Sequence, residues 1–163
     1  MRKNSAGLPS AGDPALSSSL GDSAVDPSTL KQATDVQQRE VNLETLARSF
    51  AERYGSHSNQ SDFENLEDLF PFMTEQMSKD SQKYVADQRA KKEVAIAYAG
   101  TTTQALSATF VERADNSAVI NVATQRREIG SNSATPRIYY QDLTLTFVKV
   151  GEQWKVDGAE WGK

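Results

Sequence analysis

Apolar residues between positions 43 and 54 recur at intervals of three and four, the spacing that places side chains on one face of an α-helix. The pattern predicts an amphipathic helix from Val36 of about five turns, with its apolar face against a core. Gly55 is expected to cap the helix, and residues 56–61 are expected to form a polar loop. The apolar stripe consists of Leu43, Leu46, Ala47, Phe50, Ala51 and Tyr54.

Two further helical stretches are predicted before residue 92. Ser61 or Asp62 can cap a short second helix, because Glu64 stands three residues after Ser61, as in a capping box. Pro71 interrupts this helix and suits the first turn of a third one, which is expected from Phe72 to about Ala90. The side chains expected to point inward from this third stretch are Phe72, Met73, Met77, Tyr84 and Val85.

Beyond Lys92 the apolar spacing falls to two, which indicates β-strands. Alternation covers residues 94–98 and 106–110, and Asp115-Asn116-Ser117 is typical of a hairpin turn. The chain is expected to return along a strand at 118–128. One face of that strand carries Ile120, Val122, Thr124 and Arg126.

The longest predicted strand covers residues 138–150 and separates an apolar face from a mixed one. Leu143, Leu145 and Phe147 share one face, and Gly151-Glu152 turns the chain into a last strand at 154–161. Strands joined by short turns form an antiparallel meander, whose apolar face needs a cover. The predicted fold class is therefore α+β, with N-terminal helices packed on a curved antiparallel sheet.

The first 35 residues differ in composition from the rest. They are mostly Ser, Ala, Gly, Asp and Pro, and no aromatic residue precedes Phe50. Such a segment cannot bury enough apolar surface to offset the entropy of ordering its backbone. Residues 1–35 are predicted to be a disordered tail or linker, and residues 36–163 a single domain. Arg2 and Lys3 are either part of a terminus without function or the basic flank of a preceding membrane helix.

Charge and composition narrow the function classes. The 163 residues carry a formal net charge of −4 and no cysteine, which removes disulfides, thiolate chemistry and cysteine-based zinc sites. An acidic chain gives no general attraction for phosphate backbones, so nucleic acid is not expected as a partner. No apolar run approaches the roughly 18 residues of a membrane span, so a membrane is expected to be contacted only through an anchor before this sequence.

The end of the chain resembles a known superfamily. The segment from Leu143 to Asp157 reads LTLTFVKVGEQWKVD, a hydrophobic strand, a glycine turn and a strand with Trp-Lys-Val. Together with the preceding helices, this segment is similar to the nuclear transport factor 2-like superfamily, over about residues 41–161. Within it, helices placed before an uninterrupted run of strands are closest to the extracytoplasmic domains of type IV secretion scaffold proteins. The resemblance implies a cone-shaped fold and a membrane-tethered assembly module; no functional residue is carried over from it.

Few residues suggest chemistry of their own. His57 is the only histidine and is interpreted as a solvated loop residue, although a nearby carboxylate could orient it as a general base. The acidic residues at 62–68 lack the spacing of a calcium loop and are interpreted as a solvated helix N-terminus. Arg126 is expected near the sheet rim, paired with Asp142 or Glu128. Neither a metal nor a cofactor is expected.

Large apolar side chains are the most informative set. Most are expected in the core, but a cone of sheet closed by helices at one end can leave a cavity for a small apolar ligand. The residues expected to line it are Phe72, Met73, Met77, Tyr84, Phe110, Tyr140, Phe147 and Trp154. Tyr98, Tyr140 and Asp142 are the candidates for acid and base groups within it.

Two functions are compatible with these sequence features. The favoured one is a non-catalytic interaction or scaffold domain, displayed outside the cytoplasmic membrane on a tether, in a secretion or conjugation-type assembly. Such a domain is expected to bind a protein partner or to self-associate through its sheet or first helix. The alternative is a small cofactor-free isomerase, dehydratase or hydrolase that uses a Tyr and Asp pair in the cone.

Overall fold

The computed structural model describes residues 27–94 and 97–163, in which helices come first and a five-stranded antiparallel sheet follows. The helices are α1 (Pro27–Gly55), α2 (Glu64–Glu67) and α3 (Glu75–Lys91), with a 3₁₀ turn at Phe70–Phe72. The strands are β1 (His57–Ser58), β2 (Gly100–Arg113), β3 (Ser117–Ile129), β4 (Arg137–Val150) and β5 (Gln153–Trp161). They neighbour one another in chain order, so the sheet is a meander. The predicted α+β class is confirmed.

Helix α1 begins earlier than the sequence predicted. It starts at Pro27 rather than Val36, and Leu43 is the first buried residue among the α1 side chains that the structure describes. Proline is favourable in a first helical turn, where its missing N–H would have no helical acceptor. Residues 27–35 contain few apolar residues, so periodicity gave no sign of a helix there. The rest of the predicted tail, residues 1–26, lies outside the described residues.

The core lies between α1 and the inner face of the sheet. Phe50 and Ala47 of α1 are fully buried, as the helical stripe predicted. The sheet supplies Ile120 and Val122 from β3, Val156 from β5, and Leu143, Leu145 and Phe147 from β4. These residues occur at every second position of β3 and β4, so the period of two assigned the inner face of both strands correctly.

Strand β2 departs from the predicted alternation. It begins at Gly100, and Val94 is 96% exposed outside any strand, so the expectation of a strand over 94–98 fails at its described residues. Residues 95 and 96 lie outside the described part. A register shift between Ala105 and Ser107 forms a bulge, which leaves Leu106 exposed although Ala108 and Phe110 pack against the core.

The segment after α1 is more ordered than a polar loop. His57 and Ser58 form β1 and pair with Thr101 and Gly100 of β2. Ser58 and Ser61 exchange hydrogen bonds, in which each backbone N–H donates to the other residue's hydroxyl. Ser61 is therefore engaged with Ser58, and the predicted capping box is wrong.

The two later helices also start differently from the predictions. The residue before α2 is Phe63, in the left-handed region at φ 62°, with no side-chain cap. Helix α3 begins at Glu75, because Thr74 caps it by accepting a hydrogen bond from the Met77 N–H. Pro71 stands in the preceding 3₁₀ turn instead of opening α3. These starts place Phe63 and Met77 beside the pocket described next.

Candidate ligand pocket

A pocket of about 530 Å³ lies between the end of α1, one face of α3 and the edge strand β5. This volume falls in the range of pockets that hold small organic ligands. Its wall combines aromatic side chains with a few charged and amide groups. The lining residues are Tyr54, His57, Phe63, Asn65, Leu66, Gln76, Met77, Asp80, Ser81, Tyr84, Arg126, Asp157, Gly158, Ala159 and Trp161.

Arg126 is the most unusual residue of the wall. It lies on the inner face of β3 and is only 9% exposed. Its Nη1 donates to Gln141 Oε1 at 2.8 Å and its Nη2 to the Gly55 carbonyl at 3.2 Å. The guanidinium carbon lies 4.1 Å from the ring centroid of Trp161, a cation–π contact. The Nε is buried without a hydrogen-bond partner.

His57 stands at the rim of the same end of the pocket. The residue is exposed in part, and its pKa is lowered from 6.5, first by partial burial and then by the positive charge of Arg126. A hydrogen bond with the Gly55 backbone and the charge of Glu128 oppose this shift. The imidazole is therefore neutral at pH 7, and Arg126 is the cation at this end of the pocket.

Aromatic rings make up much of the wall. Tyr54 stacks between Phe50 and Trp161, with ring centroids 5.5 Å and 6.5 Å away. Phe63 meets Tyr84 edge to face at 6.3 Å. Burial, followed by the nearby Tyr84, raises the pKa of Tyr54, so its hydroxyl stays protonated. Rings held in such contacts present rigid apolar surfaces to a ligand.

Two acidic residues also line the pocket. Asp157 Oδ1 accepts a hydrogen bond from the Thr74 hydroxyl at 2.8 Å, and Asp80 accepts from the Gln76 amide at 3.0 Å. In β5, Trp161 pairs with Leu143 and Gly158 with Thr146. Asp157 stands four positions before Trp161, so it lies roughly 13 Å along β5 from the ring that contacts Arg126.

Comparison with known proteins identifies the architecture. No protein-family model matches the sequence, and no curated protein matches it. Among solved structures, a chain described as "Ntf2 like protein involved in plasmid conjugation" superposes with a TM-score of 0.51 at 14% sequence identity. The alignment covers 76% of this chain and 49% of that chain, so the present chain corresponds to about half of the other's length.

The fold is nuclear transport factor 2-like. At this level of identity the likeness concerns the fold, and it agrees with the resemblance seen in the sequence of the final hairpin. Within residues 27–94 and 97–163 of this nuclear transport factor 2-like domain, no helix is both long and apolar enough to cross a membrane.

The structure distributes the expected pocket residues over several places. Met77 and Tyr84 line the 530 Å³ pocket. Phe72 and Trp154 line a separate depression of about 520 Å³ beside the middle of α1, and Phe110 joins Trp154 in a third of about 360 Å³. Of the remaining three, Met73 and Phe147 are buried in the core, and Tyr140 is exposed.

The expected acid and base candidates do not meet in the pocket. Tyr140 is 70% exposed, and Asp142 is exposed and accepts a hydrogen bond from the Asn121 amide at 2.9 Å. Both stand an odd number of residues from Leu143 or Leu145, so they point to the outer face of the sheet. Tyr98 precedes β2 and is 45% exposed. The inward direction expected for Tyr140 and Asp142 is therefore wrong.

Arg126 and His57 are the pocket residues whose role the sequence did not reveal. Alternation along β3 did place Arg126 on the inner face, but it was expected to pair with Asp142 or Glu128 rather than with Gln141 and Gly55. His57 was assigned to a loop, since a two-residue strand leaves no periodic signal. The site could have been recognised in the sequence from an arginine that shares the inner face of β3 with Ile120 and Val122.

The acidic residues at 62–68 have a structural explanation. Arg89 pairs with Asp62 and Glu67, and Arg53 pairs with Asp68, at distances of 3.1, 2.7 and 2.8 Å. Across the described parts of the chain, no group of three or more His, Cys, Asp or Glu side chains could hold a metal ion. The cluster therefore fastens α2 to its neighbouring helices.

Proposed function

We propose that this domain is a non-catalytic interaction module of a conjugation- or secretion-type assembly, held outside the cytoplasmic membrane by an N-terminal anchor. The observation that carries the proposal is the outer face of the sheet, which no described helix covers and which exposes large apolar side chains. Of these, Ile138 and Tyr140 are neighbours on the outer face of β4, and Leu106 and Val111 lie at the two bulges of β2. Large apolar side chains that are exposed and close together favour a protein interaction site.

A second copy of the chain is the partner that fits this face. Arg127 pairs across the strands with Ile138, and Asp142 lies two residues beyond Tyr140 on the same face. Arg127 and Asp142 therefore flank Tyr140 at roughly 7 Å on either side. A two-fold axis through Tyr140 would set each Arg127 over Asp142 of the other copy, as a self-complementary dimer interface requires.

The assembly and the anchor have separate support. The similar solved structure is of a protein involved in plasmid conjugation, and this chain has the same fold. Arg2 and Lys3 at the start of the sequence fit the basic flank of a membrane helix. The enzymatic alternative gains no support from the positions of Tyr98, Tyr140 and Asp142.

Light scattering after size-exclusion chromatography, at several protein concentrations, tests the partner. The wild-type mass should rise from one copy to two, and Arg127→Glu should weaken the dimer at least tenfold. Asp142→Arg should weaken it similarly, and the double variant Arg127→Glu/Asp142→Arg should restore it. A monomer at every concentration, or single variants that dimerise like the wild type, would overturn this interface.

Cell fractionation tests the anchor. The natural full-length gene is expressed with a C-terminal tag, and membranes are washed with alkaline carbonate. The tagged protein should stay in the membrane and be digested by protease added outside the cytoplasmic membrane. Release by carbonate, or protection of the tag from external protease, would contradict the tethered arrangement.

A further inference from the structure

Arg126 is a buried cation that forms no ion pair with any described residue. Among residues 27–94 and 97–163, no carboxylate oxygen lies within 4.0 Å of its guanidinium, since no salt bridge there involves this residue. Its hydrogen-bond acceptors are the neutral oxygens of Gln141 and Gly55. Removing a charge from water without pairing it is costly, so buried arginines normally have an anionic partner.

The guanidinium also has donors to spare. Arginine carries five N–H groups, and the two bonds to Gln141 and Gly55 leave the Nε hydrogen and one hydrogen on each Nη. The Nε is buried with no acceptor, which is rare for a polar atom inside a protein. Arg126 lines the pocket, and because its Nε is buried, a ligand there would have to meet the guanidinium through its Nη groups.

The other lining residues indicate what kind of group an anionic ligand could carry besides its charge. Trp161, on which Tyr54 stacks, contacts Arg126, and the edge-to-face pair of Phe63 and Tyr84 lines the same pocket. These rings accept flat or apolar groups. The left-handed backbone of Phe63, a strained conformation for a non-glycine residue, holds its ring in this wall.

We propose that the pocket between α1, α3 and β5 binds a small organic acid, in which one carboxylate meets Arg126 and an aromatic or apolar body packs among Trp161, Tyr54 and Tyr84. Arginine matches a carboxylate geometrically, because two parallel N–H groups reach its two oxygens. The carboxylate of the ligand supplies the negative charge that no described side chain provides next to Arg126.

A carboxylate fits this pocket better than a phosphate group. A phosphate carries close to two negative charges at pH 7 and is usually held by several donors or cations. Here one arginine is present, His57 is neutral, and Asp80 and Asp157 line the same pocket. These carboxylates repel a second negative charge on the ligand.

This proposal is independent of the dimer proposed above, because the pocket lies on the helix side of the sheet and Tyr140 on the other. Fluorescence titration tests it in the Trp154→Phe variant, in which Trp161 is the remaining tryptophan. Phenylacetate should change the Trp161 emission saturably, with a Kd below about 1 mM. Phenylacetamide, the matched neutral probe, and inorganic phosphate should each bind at least tenfold more weakly.

Two further variants locate the binding. Arg126→Lys keeps the charge but loses the two-pronged geometry, and it should weaken phenylacetate binding at least tenfold. Ser81→Phe fills the pocket from α3 and should abolish binding, whereas Gln82→Phe, the adjacent residue outside the pocket, should leave Kd unchanged. Circular dichroism verifies that each variant is folded.

Several outcomes would overturn the proposal. The first is an unchanged Trp161 emission up to about 10 mM phenylacetate. Affinity weaker than about 10 mM is negligible for a pocket of this size. Equal affinity for phenylacetamide would remove the role of the carboxylate. If Arg126→Lys does not fold, unchanged binding in Ser81→Phe would by itself show that the ligand lies elsewhere.

Discussion

The guanidinium of Arg126 lies 4.1 Å from the ring centroid of Trp161 and donates a hydrogen bond to the carbonyl of Gly55. This contact joins three distant parts of the chain: the end of α1, the inner face of β3 and the end of β5. Tyr54 stacks on the same indole from the helix side at 6.5 Å. The residues that hold α1 to β5 therefore also form the end of the pocket at which Arg126 lies.

Replacing Arg126 with methionine tests whether the arginine is needed for stability. Arg126→Met removes two hydrogen bonds and the contact with Trp161, but it also removes a buried charge that has no counter-ion. These effects largely offset each other, so the free energy of unfolding should fall by less than about 1 kcal/mol. Urea denaturation measures this change, and a loss above about 3 kcal/mol would show that Arg126 serves the fold first.

His57 should titrate below its ordinary range. Because it is the only histidine, its imidazole gives one Hε1–Cε1 signal in NMR spectra recorded against pH. The fitted pKa should lie below 6.5, and in Arg126→Met it should rise toward 6.5, since the second cause of the shift is gone. An unchanged pKa of His57 in Arg126→Met would show that the charge of Arg126 does not lower it.

The same shift has a consequence for stability. The pKa of His57 is lower in the folded chain, so the unfolded chain binds more protons between that value and 6.5. Stability is fully present above pH 6.5 and decreases as the pH falls toward the folded pKa. His57→Gln should therefore lose less stability than the wild type between about pH 7.5 and pH 5.5, measured by urea denaturation. An equal loss of stability in His57→Gln and in the wild type would contradict this role of His57.

Gly55 should not tolerate a side chain, for a reason of space. A Cβ at this position would lie 2.5 Å from Thr103 Oγ1 and 2.9 Å from the ring of Trp161. Gly55→Ala should therefore cost about 1 to 3 kcal/mol of unfolding free energy. Gly130→Ala is the matched control, because a Cβ there meets nothing within 4 Å, and its effect should stay within about 0.5 kcal/mol. Similar losses in both variants would contradict this explanation.

The two faces of β4 should differ sharply in their tolerance of alanine. Phe147 is fully buried and Tyr140 is 70% exposed on the same strand. Phe147→Ala should lower the free energy of unfolding by about 3 to 5 kcal/mol, because it leaves a cavity in the core. Tyr140→Ala should change it by less than about 1 kcal/mol in the monomer, measured by chemical denaturation at low protein concentration. A large loss in Tyr140→Ala would indicate that the outer face is covered within one chain.

The sequence predicted regular elements best where one face of an element is buried along its whole length. The stripe from Leu43 to Tyr54 and the alternation over 118–128 both appear in the structure. Predictions failed where local chemistry competes with tertiary pairing. Ser61 was expected to cap a helix, but its hydroxyl is used by Ser58, and Leu106 was placed inward although a bulge turns it out.

In the pocket, too, the sequence predicted some residues and missed others. Its residues Tyr84 and Met77 were expected there, and both line it. Its two most informative residues, Arg126 and His57, were not, because no spacing along the chain shows that Gly55 and Trp161 converge on them. Tyr140 and Asp142 were expected inside as candidate acid and base groups of the cavity, yet strand parity directs them outward.

By itself the sequence determined the order of helices and strands, the inner face of most of them and the α+β class, because burial of one face imposes a period of 3.6 or 2 on neighbouring residues. Only the tertiary structure decided that Arg126 lies buried, against Trp161 and near His57, with no carboxylate of the described residues paired to it. Contacts between β1, β3 and β5 depend on sheet register and curvature, which residues far apart in the chain set together.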